Sequence, residues 1–170
     1  REWRNRTVER LREYPVVQMF DTVVHLDAGG YPDLQYSGVI AGAGGRVGDA
    51  LATRSGASGF AWAARRELVE SLGLMEFMVL GGADTYMAAG FAGVLPEALM
   101  TLLPPKLQAS VADWARKASD VTHGQVGFVP GTIEHRGRVV EIGAVALGVA
   151  EHQHYLVLAR NGEERIGYRV

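Results

Sequence analysis

The sequence predicts an α/β domain, a mixed sheet flanked by helices. Segments with apolar residues at helical spacing alternate along the chain with short β-branched runs, which is the pattern of layered helices and strands. A length of 170 residues with 48% hydrophobic content is enough to bury one real core and too little for two comfortable ones. Glycine supplies 22 residues, roughly twice the usual ~7%, and clusters in non-repeating turns, which favours a loop-rich fold with sites built on tight turns.

Glu2 to Tyr14 places Trp3, Thr7, Leu11 and Tyr14 on one stripe between Arg and Glu residues, and Pro15 stops it, so an amphipathic helix is expected. Val16 to Phe20 suits a buried strand, continued by the mixed segment Thr22 to Leu26. From Ala28 to Ser58 there are eight glycines and little periodicity, the pattern of a long mobile loop. Phe60 to Leu72 carries good helix formers and stops at Gly73. The short apolar segment Met75 to Leu80 ends in Gly81-Gly82-Ala83-Asp84, with Asp84 placed to cap a helix from Thr85 to Phe91 that Gly93 closes. Pro96 begins a short helix to Leu103, and Lys106 to Lys117 shows Leu107, Val111, Trp114 and Ala118 at helical spacing. Val126 to Val129 and Thr132 to Glu134 are strand pieces broken by Pro130-Gly131. Beyond them, Val139 to Val149 is β-branched, and Asn161-Gly162 joins Tyr155–Arg160 to Glu163–Tyr168 as a hairpin.

Composition excludes several classes of function. A formal net charge of -2 argues against a strongly basic nucleic-acid binder. With no cysteine there is no disulfide, thiol catalysis or cysteine-based zinc site, so any metal must be held by His, Asp or Glu. The longest charge-free runs, Val121–Ile133 and Thr85–Pro96, are too short to span a bilayer, and the charged opening segment lacks the apolar centre of a secretion signal; a cytoplasmic protein is expected. The chain opens on Arg1 rather than Met, and further coding sequence is expected upstream.

Chemistry concentrates between Gly59 and Gly93. An aromatic follows a glycine turn, two arginines come next, and a diglycine turn then presents a carboxylate at a helix start. Gly81 and Gly82 let a ligand approach the backbone, and the helix dipole favours a negative Asp84 that can hold an exposed hydroxyl. The plainer reading makes Asp84 only an N-cap. Arg65 and Arg66 point in different directions and at least one is a solvated charge. Trp114 fits a core stripe, whereas Trp62 follows the turn where an aromatic can meet a ligand. By itself His135, before Arg136-Gly137-Arg138, reads as an ordinary surface residue. His152 and His154 alternate on one strand face without a nearby third ligand, and nothing singles out His25 or His123.

Taken in order, Trp3, the run Tyr14-Pro15-Val16-Val17-Gln18-Met19-Phe20, Gly59-Phe60-Ala61-Trp62-Ala63-Ala64-Arg65-Arg66, Gly81-Gly82-Ala83-Asp84 and Val126-Gly127-Phe128-Val129-Pro130-Gly131-Thr132-Ile133-Glu134-His135 resemble the C-terminal half of bacterial and phage-encoded glycosyltransferases of the GT-A type. The resemblance implies that residues 1–135 are the acceptor-side part of a GT-A domain and leaves 136–170 as a β-rich tail of uncertain origin, either a different β element or the product of a shifted reading frame. It further implies transfer from a nucleotide-sugar donor to a carbohydrate or other hydroxyl acceptor with a divalent metal, manganese or magnesium. In that scheme Asp84 is the general base, Trp62, Gly81 and Gly82 bind substrate, and His135 is a metal or diphosphate ligand. An Asp-x-Asp type motif for metal and diphosphate falls upstream of Arg1. A sheet edge exposed toward that missing half invites association. Two other classes stay open: a non-catalytic sugar- or nucleotide-binding module, and a plain interaction domain.

Overall fold

The structure, a computed structural model, describes residues 2–78 and 82–136. Gly81 lies outside the described residues, as do the run Val139–Val149, the hairpin about Asn161-Gly162, and His152 and His154. In chain order the elements are α1 (Glu2–Glu13), β1 (Val16–Gln18), β2 (Thr22–Leu26), β3 (Pro32–Ser37), α2 (Val39–Gly42), α3 (Val47–Ala52), β4 (Trp62–Ala64), α4 (Arg66–Leu72), α5 (Ala83–Phe91), α6 (Glu97–Met100), α7 (Pro105–Thr122), β5 (Val126–Phe128) and β6 (Thr132–Arg136). The fold is a mixed α/β arrangement in which two small mixed sheets are flanked by helices.

One sheet has the order β4-β1-β5, with β1 antiparallel to β4 and parallel to β5; the other has the order β3-β2-β6, with β2 antiparallel to β3 and parallel to β6. β1 runs on into β2, and β5 into β6, so the two parallel pairs form one ladder with a kink. Pro130 has no N–H to give and sits at that kink. The ladder is bridged there by Val129 N–H to the Gln18 carbonyl (2.9 Å) and Asp21 N–H to the Gly131 carbonyl (3.0 Å).

The main core gathers Val16, Leu51, Leu68, Phe91, Val111 and Trp114 between the first sheet and the helices. A satellite core of Phe20, Val23 and Ala57, packed by Tyr36, Phe60 and Ile133, lies on the second sheet. The α1 stripe is as expected at Thr7, which is buried, and at half-buried Leu11 and Tyr14. Trp3 is about half exposed, yet its indole N–H donates to the Met19 carbonyl at 2.9 Å.

Four expectations need correction. The stretch from Ala28 to Ser58 is no long loop. It forms β3, α2 and α3, short elements that glycine-rich sequence does not favour alone but that tertiary contacts supply, with β3 pairing along β2 and Val39, Ile40 and Leu51 entering the core. Phe60 to Leu72 is not one helix: Trp62–Ala64 pairs with β1, Arg65 is extended, and only Arg66–Leu72 is helical, because a ladder beside a buried strand outweighs the modest helix preference of alanine. Asp84 does not cap α5. Gly82 occupies the N-cap position at φ 76° and Asp84 stands inside the first turn. The helix after Pro96 is confined to Glu97–Met100. Gly73 (φ 69°) and Gly93 (φ 67°) do end their helices in the left-handed region.

α5 and α7 pack through Gly90, where an added Cβ would stand 2.9 Å from the Trp114 ring and 3.0 Å from the Ala115 Cα. The Ala115 backbone cannot yield as a flexible side chain would. Gly90→Ala is therefore expected to destabilise the protein by about 1 to 3 kcal/mol in urea unfolding despite alanine's better helix propensity; an unchanged or higher midpoint would show that the two helices have room to part.

Candidate functional site

The site is built on the turn from Ala57 to Trp62. Buried Ala57 is tied on both sides: its N–H donates to the Ser37 carbonyl (2.9 Å), and its carbonyl accepts from Val39 N–H (2.8 Å). The same carbonyl also accepts from Gln18 Nε2 at 2.7 Å, while Gln18 Oε1 accepts from Ile40 N–H at 3.1 Å. Gln18 is fully buried at the end of β1. An amide in an apolar strand is costly unless both of its ends are satisfied, and here both are.

Beyond Ala57 the turn reaches toward α5. Ser58 Oγ lies 2.8 Å from Thr85 Oγ1 and donates to Asp84 Oδ2 at 3.5 Å. One arrangement satisfies both contacts, with the Thr85 hydroxyl donating to Ser58 and the Ser58 hydroxyl turned to the carboxylate. Asp84 Oδ1 accepts from Thr85 N–H at 2.9 Å. The carboxylate is half-buried in the first turn of α5, where the exposed N–H groups of a helix start favour negative charge. The Ser58 carbonyl in turn accepts from the Trp62 indole N–H at 2.8 Å. Asp84, Thr85 and Trp62 are thus brought together around Ser58, and Gly82 N-caps the helix that carries the first two. Trp62 is only partly available to a ligand, since its ring packs on the core with its centroid 5.9 Å from that of Phe91.

The other side of the turn carries Phe60, which takes φ 73° and lays its ring edge-on to Phe20 (5.8 Å) and His135 (5.3 Å). His135 stands opposite His25 in the parallel register of β6 and β2, with ring centroids 5.0 Å apart. His25 Nε2 hydrogen-bonds the Tyr36 hydroxyl. Burial pushes the Tyr36 phenol above its ordinary pKa, so it remains a neutral hydroxyl beside the imidazole. The Asp84 group meets the turn at Ser58 and the histidine pair meets it at Phe60.

The same turn walls a cavity of about 370 Å³, lined by Tyr36, Arg54, Phe60 and the residues 56–59. Among the described residues no group of three or more His, Asp or Glu side chains converges to hold a metal. His25 and His135 offer imidazoles, whereas manganese or magnesium calls for oxygen ligands. These residues alone do not fit a hard divalent cation. Arg65 is occupied structurally, donating to the Leu11 (2.7 Å) and Arg12 (3.0 Å) carbonyls, and Arg66 is solvated.

Sequence reasoning missed Gln18, Ser58, Phe60, His25, Tyr36 and Arg54. A glutamine inside Val16–Phe20 was the visible signal for the first of these; for His25 the signal exists only in strand register. Gln18→Leu keeps the volume but leaves the buried Ile40 N–H without its acceptor, so a loss of about 1 to 3 kcal/mol is expected in chemical denaturation. Proteolysis within 55–62 should speed up in parallel, and unaltered stability would show that Gln18 does not hold the turn.

Comparison of the chain with protein-family models, with curated proteins and with solved structures finds no match.

Proposed function

We propose that the chain is the acceptor-side part of a glycosyltransferase of GT-A type, moving a sugar from a nucleotide-sugar donor to an acceptor hydroxyl. The observation that carries this reading is the half-buried Asp84 carboxylate, hydrogen-bonded to Ser58 on the turn that walls the cavity. A carboxylate so placed acts as general base: it takes the proton of the acceptor hydroxyl while that oxygen bonds to the anomeric carbon of the donor, and the nucleoside diphosphate leaves with the bonding pair. Ser58 and Thr85 orient the carboxylate, Trp62 supports the turn through its N–H and offers part of its ring to a sugar face, and the Gly82 backbone has no side chain to obstruct approach. In the same reading His135 provides one ligand of a divalent metal whose oxygen ligands belong to an acidic motif outside this chain.

Asp84→Asn retains an oxygen to accept from Thr85 N–H and turns its NH2 to the Ser58 hydroxyl, which can accept, so melting should be nearly unchanged, while transfer by the complete enzyme falls about 10²- to 10⁴-fold. Transfer within a few-fold of wild type would remove Asp84 from the chemistry.

For the metal, calorimetry should find weak manganese binding, or none, to the 170-residue chain, because imidazole without carboxylates does not compete with water for a hard cation. A protein extended upstream through an acidic motif should bind it, more weakly after His135→Ala. Equal affinity with and without His135 would exclude this residue as a ligand.

A further inference from the structure

We infer that the cavity beside the Asp84 turn takes an anionic sugar, a hydroxyl-bearing ring carrying a carboxylate or phosphate, and that Arg54 is the group that reads the negative charge. This rests on the transferase reading and names its acceptor class. The backbone of Arg54 supplies the first argument. It follows α3 at φ 53°, in the turn closed by Ser55 N–H to the Ala50 carbonyl (2.7 Å). Glycine or asparagine is the residue such a helix end favours, and an arginine accepts strain there. Of the three non-glycine residues with positive φ among the described ones, two, Arg54 and Phe60, wall this cavity. Strain that accumulates on one cavity points to side chains retained for what they touch.

Chemistry supplies the second. Arg54 is exposed on the cavity wall, and among the described residues no carboxylate forms an ion pair with it. Its guanidinium keeps its planar fork of donors for an oxyanion. Phe60 and Tyr36 add aromatic surface for a ring face, and Ser58 connects the wall to Asp84. Arg54 is the one charged side chain among the cavity's lining residues, and the polar side chain of Ser58 on the same wall leads to Asp84. A sugar bearing one anionic group is thereby bound with its charge at Arg54 and its hydroxyls free to face Ser58. The volume of about 370 Å³ suits a single sugar ring.

The test is titration of the whole chain with glucuronate, glucose monophosphate, glucose and inorganic phosphate, followed by NMR shifts. Both anionic sugars should bind at least about tenfold more tightly than glucose, and the tighter of the two identifies the source of the charge. Arg54→Gly should raise the melting temperature, by relieving the left-handed strain, while lowering affinity for the anionic sugars to that of glucose. A residue serving only the turn cannot give that opposed pair of changes, and a more stable variant cannot fail merely by misfolding. Equal binding of glucose, binding of inorganic phosphate as tight as that of the sugar phosphate, a charge preference that survives Arg54→Gly, or no binding of any of the four would each overturn the inference. Absence of any charge preference in the wild-type chain, with Asp84-dependent transfer intact, overturns the inference and leaves the transferase reading standing. Arg54-dependent anion binding with transfer indifferent to Asp84→Asn removes that reading and leaves the site.

Discussion

The buried amide of Gln18 is the interaction on which the site depends. One side chain joins three parts of the chain: its own strand β1, the Ala57 carbonyl at the start of the turn 57–62, and the Ile40 N–H in the first turn of α2. Its space is closely shaped, since a Cβ on Gly38 would come within 2.6 Å of the Gln18 Oε1. Leucine or methionine would fill that volume but bond neither end. The glutamine converts an apolar contact, which is non-directional, into a fixed distance and angle between strand and turn.

From that anchor the rest of the site follows by short links. Ala57 is held, so Ser58 is presented to Asp84 and Thr85, and the Trp62 N–H closes the turn back on the Ser58 carbonyl. Phe60 then has little choice of backbone. It takes φ 73°, and its ring fills the gap between Phe20 and the two histidines. Strain is tolerated there because neighbours on both sides over-determine the conformation, the usual condition for its survival in a native structure.

The Arg54 guanidinium, the Ser58 hydroxyl and the rings of Tyr36 and Phe60 line the cavity, and Ser58 connects that wall to the Asp84 carboxylate at the start of α5. In the proposed reading such a set of groups would orient a hydroxylated ring, and orientation is what activation of a chosen hydroxyl requires, since a general base acts only on a proton within hydrogen-bond reach.

Sequence alone determined the elements whose signals are local. The α1 stripe, the stop at Pro15, the α7 stripe of Leu107, Val111, Trp114 and Ala118, and the ends at Gly73 and Gly93 all depend on spacing and on residue-specific backbone freedom, and the α/β class follows from their alternation with strands. The start of α5 at Gly82 and its carboxylate were visible for the same reason, although the cap itself falls on Gly82 rather than Asp84. Tertiary structure alone decided that Trp62–Ala64 is a strand, because its partner β1 lies more than forty residues away in the chain and pairing energy is absent from any local window. It likewise drew β3, α2 and α3 out of glycine-rich sequence, and set His25 beside His135 through a register between strands more than a hundred residues apart. Ser58, Phe60 and Arg54 acquire their roles only by packing, since a serine, a phenylalanine or an arginine in a glycine-rich stretch carries no periodicity; only the folded backbone gives each a direction.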